Sequence, residues 1–128
     1  MRRKRFQEGL KVRRAVLGKE HVDKALSVTD DEPSKALQEW ITEFAWGAVW
    51  ARPGLSRKTR SLINLAMLTA LNRPEEFKLH LRGALRNGCS RKEIMEVLLQ
   101  TTVYCGVPAA LEGFRMAKEV FFALEKQS

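Results

Sequence analysis

The chain is 128 residues long, enough for one domain with a proper core, and its 45% hydrophobic and 30% charged residues are the balance of a soluble globular protein. No apolar run approaches the roughly 18 residues that cross a bilayer, which excludes such a span, and the basic N-terminus lacks an apolar stretch behind it, so secretion is not expected. The net charge of +8 leaves nucleic acid, a membrane surface or an anionic small molecule open as partners.

The pattern is helical throughout, with no alternating strand signal. Arg2, Arg3, Lys4 and Arg5 form a basic run expected to be a solvated tail. A first helix is expected over about Phe6–Leu17, stopping at Gly18, and a short second one over about Val22–Val28. The stretch from Thr29 to Glu32 offers caps, and Pro33 suits the first turn of a third helix. That helix carries Leu37, Trp40, Ile41, Phe44, Ala45 and Val49 and ends at Arg52-Pro53-Gly54. Ser56 is expected to cap a fourth helix with Leu62, Leu65, Ala66, Leu68 and Thr69 on its stripe. Being apolar almost all round after Arg60, this helix is expected to be central and buried. A fifth helix opens at Pro74 and ends at Asn87-Gly88, a left-handed terminator. Ser90 and Glu93 make a capping box ahead of Ile94, Val97, Leu98 and Thr101. After Cys105-Gly106, Pro108 opens a seventh helix to about Leu124. The prediction is an all-α bundle of about six to seven helices in a single domain, residues 1–128. Cys89 and Cys105 fit neither a zinc nor a redox spacing and read as reduced thiols of a cytoplasmic protein.

The fifth helix holds the first candidate for chemistry. Glu76 and His80 stand one turn apart and share a face, with His80 at the edge of the apolar stripe of Phe77, Leu81, Ala84, Leu85 and Gly88. A titratable ring at the edge of a core with a carboxylate beside it is a candidate proton-transfer site. A hydrogen-bonded core histidine and an ordinary surface helix pair explain the same two residues. The chain's other histidine, His21, lies outside the dense motifs and is expected at the surface.

Several short series run in a recognisable order: Ala45-Trp46-Gly47 with Trp50, Arg52-Pro53-Gly54-Leu55, Thr59-Arg60-Ser61-Leu62, Leu65-Ala66-Met67-Leu68, Leu79-His80-Leu81-Arg82, Asn87-Gly88, and Tyr104-Cys105-Gly106-Val107-Pro108-Ala109-Ala110. Together with Val12-Arg13-Arg14, Leu17-Gly18 and His21-Val22-Asp23, they closely resemble the carboxymuconolactone decarboxylase family over nearly the whole chain. The resemblance implies the all-α fold shared with AhpD-type alkylhydroperoxidases and a trimer-based homo-oligomer, a hexamer. The peroxidase branch carries Cys-x-x-Cys-x-x-x-His. Here the histidine slot is His80, but the cysteine slots fall on Arg73 and Glu76, so the dithiol cycle is not expected. Cys89 and Ala48 stand where the decarboxylase type often has a small aliphatic residue and a glutamate.

The activity implied is cofactor-independent decarboxylation of 4-carboxymuconolactone to 3-oxoadipate enol-lactone in β-ketoadipate aromatic catabolism. The partner is then a dianionic lactone, with no cofactor, no metal, no nucleic acid and no membrane. His80 is the expected proton donor or oxyanion partner, with Glu76 orienting it. Arg60 and Arg73 are expected to grip carboxylates through the guanidinium fork, Arg60 first because it opens the fourth helix; Arg52, Arg57 and Arg82 are further candidates. A surface ion pair would account for Arg60 equally. Trp46 and Trp50, one turn apart, are expected either to line a flat pocket for the ring or to pack a core or subunit interface. Tyr104 is read as a hydroxyl for the site or as a buried, hydrogen-bonded tyrosine. The alternatives are a related enzyme acting on another lactone or keto acid, and a non-enzymatic basic helical module. Against the module, the basic residues are dispersed over several helices.

Overall fold

The computed structural model describes residues 2–28 and 30–127, with the side chain of Arg2 left aside. Thr29, an expected cap, lies outside the described residues. The described chain is helical, without a strand: α1 Arg2–Leu17, α2 Lys19–Ser27, α3 Glu32–Trp40, a π-helical segment Ile41–Trp50, α4 Arg57–Ala70, α5 Pro74–Arg86, α6 Arg91–Tyr104 and α7 Val107–Lys126. The all-α expectation holds. The chain divides into two compact units, Met1–Arg57 and Lys58–Ser128.

In the first unit, α1 lies along the π-segment so closely that a methyl group would not fit at the crossing. A Cβ on Gly9 would run into the Thr42 carbonyl oxygen, and one on Gly47 into the Arg5 carbonyl oxygen. Of the basic run, Arg5 belongs to this packing, while Arg3 and Lys4 are exposed, as expected of a solvated stretch. Helix α1 begins at Arg2, not near Phe6, and the Arg5 guanidinium stands 5.2 Å over the Phe44 ring instead of trailing into solvent. Asp31 caps α3 by accepting a hydrogen bond from the Ser34 amide at 2.9 Å, and this contact is the main reason its carboxyl is held below the usual range. The single long third helix expected from sequence is two pieces. Beyond Trp40 the backbone widens, and the Ala51 amide reaches back five residues to the Trp46 carbonyl at 3.0 Å.

The second unit is built more regularly. Its core joins Leu65 of α4, Phe77, Leu81 and Ala84 of α5, Ile94 and Leu98 of α6, and Met116, Ala117 and Val120 of α7, with Cys89 between α5 and α6. Its punctuation follows the sequence. Helix α5 stops at Asn87 with Gly88 at φ 91°, a conformation glycine adopts without steric cost. Both halves of the Ser90–Glu93 capping box are formed. One expectation fails: α4 is not buried all round. Ser61, Leu65 and Thr69 face inward, while Ile63 and Met67 stay 41% and 48% exposed. An apolar sequence gives no direction in which a helix must face, and only one stripe of α4 meets the core.

Candidate active site

The start of α4 is held by contacts from the α5–α6 junction. The Lys58 ammonium pairs with Glu93 at 3.0 Å, the Asn87 amide donates to the buried Ser61 hydroxyl at 2.8 Å, and the Cys89 thiol points at the Lys58 carbonyl at 3.5 Å. Burial pushes that thiol up from its ordinary value; Glu93 adds to the effect and Lys58 opposes it. Arg60, on the same anchored turn, is half-buried. Close to it in the chain, Lys58 and Ser61 are the two residues tethered by these contacts.

One turn further along α4 stands Asn64, and its side-chain nitrogen lies 3.3 Å from His80 Nδ1 on α5. The backbones at both positions are fixed, because the next residues, Leu65 and Leu81, are completely buried in the core. The His80 ring is partly open. It is neither sealed in the interior nor loose on the surface. Glu76, expected to orient the ring, is exposed in the first turn of α5, where its charge suits the positive end of the helix. Nδ1 of the ring meets Asn64, which the sequence reading passed over. The available signal was a lone amide in the run Leu62–Leu71, apolar but for Asn64 and Thr69.

Arg73 occupies the position just before α5. It is exposed, and its carbonyl accepts from the Phe77 amide at 2.9 Å. Arg60, Asn64, Arg73, Glu76 and His80 thus all belong to α4, α5 and the turn between them, within the second unit. Arg52 and Arg57 are exposed, and Arg82 is half-buried. Tyr104 is 82% exposed, so the buried-tyrosine reading is wrong. His21 is exposed, as expected.

Trp46 and Trp50 belong to the first unit. They stack with centroids 4.8 Å apart and planes at 25°, and are only 4% and 8% exposed. The same unit buries two charged residues that the sequence reading did not single out. Arg13 donates from Nη1 to the Thr42 hydroxyl at 3.1 Å, and Thr42 in turn donates to the Gln38 carbonyl at 2.8 Å. Arg13 is 5% exposed, and burial lowers its pKa from the usual arginine value. Glu43 is buried beside Thr42, at 4% exposure. The signal for Arg13 was its place among Val12, Val16 and Leu17, all buried on one face of α1.

A groove of about 960 Å³ runs along α6 and α7, lined by Ile94, Met95, Leu98, Phe114, Phe121 and Phe122 with Arg91, Lys92, Arg115 and Lys118 among its charged residues. None of the residues expected at the site lies on it. Among the described residues, no three His, Cys, Asp or Glu side chains converge as metal ligands would.

Residues 35–119 match the carboxymuconolactone decarboxylase family. The chain is 44% identical over 117 residues to the 4-carboxymuconolactone decarboxylase of Acinetobacter baylyi, covering 91% of this chain and 87% of that protein. It is 46% identical over 113 residues to the nitrosuccinic acid decarboxylase of Metarhizium robertsii, covering 88% of this chain and 78% of that one. An uncharacterised 15.0 kDa protein of Paracoccus denitrificans is 30% identical over 92 residues. The chain therefore belongs to the carboxymuconolactone decarboxylase family.

Proposed function

Starting from that membership, we propose that the protein is a carboxy-lyase that converts 4-carboxymuconolactone to 3-oxoadipate enol-lactone without a cofactor, in β-ketoadipate aromatic catabolism. The observation that carries this reading is the 44% identity to a 4-carboxymuconolactone decarboxylase over nearly the full length of both chains. The chemistry is compatible with the residues. When the C–CO₂ bond breaks, its electron pair moves through the ring double bond onto the lactone carbonyl, giving a dienolate oxyanion. Protonation at the ring carbon next to that carbonyl then yields the product. The lactone accepts the electrons itself, so the protein's tasks are to hold a dianion, stabilise the oxyanion and deliver a proton. Arg60 and Arg73 are the carboxylate clamps in this reading, His80 the oxyanion and proton partner, and Glu76 a charge on the same face of α5. Trp46 and Trp50, stacked on each other and almost fully buried within the first unit, suit the packing role of that pair. One preorganised donor aimed at the oxyanion supplies roughly 3 kcal/mol, about two powers of ten in rate.

A second substrate is favoured by the comparable likeness to a nitrosuccinic acid decarboxylase. Nitrosuccinate is also a dicarboxylate, with a nitro group as internal electron sink, so the same clamp and donor would serve. We further read the two compact units as one functional domain, since the family match runs across the boundary between them. A homo-oligomer, with a hexamer as its expected size, is supported by apolar side chains left open at the α6–α7 turn: Val103 is 75% exposed and Leu111 63%. A cytoplasmic place suits the free thiols of Cys89 and Cys105.

The test is turnover of freshly generated 4-carboxymuconolactone and, in parallel, of nitrosuccinate. Turnover of the lactone is expected. His80→Ala should lower kcat on the order of a hundredfold while circular dichroism and oligomer size stay unchanged. Arg60→Ala should raise KM. Turnover of nitrosuccinate alone would move the substrate assignment, and near-normal catalysis by His80→Ala would remove the ring from the mechanism.

A further inference from the structure

We infer that Asn64 is a positioning residue that sets the tautomer of His80, so that the ring presents Nε2–H as a donor. The inference rests on the decarboxylase reading and specifies which nitrogen meets the oxyanion. An amide nitrogen donates and cannot accept, so the placement of Asn64 Nδ2 3.3 Å from His80 Nδ1 pairs with the tautomer in which Nδ1 accepts; the other tautomer needs the amide turned to present its oxygen. With Nδ1 accepting, the proton of the neutral ring sits on Nε2. The two side chains come from different helices whose neighbouring residues, Leu65 and Leu81, are fully buried, so the pairing is built into the α4–α5 packing. Neither Asn64 nor His80 is fully exposed, which keeps the contact from being exchanged freely for water.

The consequence is a polarity. With Nδ1 occupied by an amide, His80 serves the reaction as a hydrogen-bond donor toward developing negative charge. With a carboxylate in place of the amide, the proton would be drawn to Nδ1, and Nε2 would face the oxyanion with a lone pair. Glu76 is a carboxylate on the same face of α5, but the contact at Nδ1 comes from Asn64 of α4.

Two measurements test this. The first is the ¹⁵N NMR spectrum of the imidazole in a His21→Asn background, where His80 is the single histidine. A pyrrole-type signal at Nε2 and a pyridine-type signal at Nδ1 are expected. The opposite pattern, with the proton on Nδ1 because the Asn64 amide is turned to present its oxygen, would overturn the inference, and so would an even mixture of tautomers. The second is Asn64→Asp, which should reverse the ¹⁵N pattern and lower kcat on the order of a hundredfold with a smaller change in KM. Asn64→Leu, which neither donates nor accepts, should leave a mixture of tautomers and an intermediate kcat. If Asn64→Asp reverses the spectrum but turns over normally, the role in catalysis is refuted. Wild-type protein inactive on both compounds would count against the decarboxylase reading, while the NMR of that same protein still decides the tautomer.

Discussion

The two compact units bury polar groups in different ways. In the second, Lys58–Ser128, the buried polar residues are hydroxyls with nearby partners: Ser61 accepts from Asn87, and Thr69 and Thr101 donate to carbonyls of their own helices. Its charged groups pair at the rim, as Lys78 does with Glu119 and Arg91 with Glu125. In the first, Met1–Arg57, a guanidinium and a carboxylate, Arg13 and Glu43, lie among packed side chains, and one segment leaves the α-helical register. Burying charge is costly unless a specific arrangement compensates, so such groups mark places where stability alone did not choose the residue. The second unit teaches what hydrophobic patterning builds by itself; the first shows charged groups taken into the packing, where each depends on the partners around it.

Mutations sharpen this contrast in order of expected size. Phe77→Ala empties the centre of the apolar unit, where Phe77 is completely buried, and should cost about 3–5 kcal/mol in denaturant unfolding. A loss under about 1 kcal/mol would mean that the core there collapses around the gap, contrary to a tightly packed unit. Gly9→Ala attacks the other unit, placing a methyl group against the Thr42 carbonyl oxygen. Two backbones must then separate, for about 1–3 kcal/mol, and hydrogen exchange should quicken in α1 and the π-segment before α5 and α7. Faster exchange throughout the molecule would erase the distinction between units. Ser90→Ala removes one half of the α6 capping box and should cost about 1 kcal/mol.

The smallest effect is a pH dependence at the same cap. The Ser90 amide, and after it Lys58, hold the Glu93 carboxyl below its usual range. Because the folded value lies below the unfolded one, this contribution is present at neutral pH and is lost as the pH falls through the carboxylate range and then through the depressed folded value. Glu93→Gln should flatten that part of the acid-unfolding curve. An unchanged curve would show that the cap is not electrostatically coupled to folding.

The sequence carried different amounts of information in the two units for the same physical reasons. Gly88, Ser90 and Glu93 act through bonds to residues a few positions away, so helix ends in the second unit were legible in the chain itself. The Phe77, Leu81 and Ala84 stripe followed from helical periodicity. By contrast, Ile41–Trp50 meets α1 through Gly47 and Thr42, which lie 38 and 29 residues beyond Gly9 and Arg13, their partners across the crossing. Nothing local in Ile41–Trp50 distinguishes a π register from an α one.

The candidate site shows the same division. That His80 stands at the edge of a buried stripe is a matter of spacing, and the sequence alone determined it. Which side chain meets the ring is a matter of how α4 crosses α5: Glu76 has the right spacing on its own helix, yet Asn64 supplies the contact at Nδ1. The order of helices, their caps and the family likeness are properties of neighbours along the chain. The burial of Arg13 and Glu43 and the contact of Asn64 with His80 arise between residues far apart in sequence, and only the packing of helices against one another decided them.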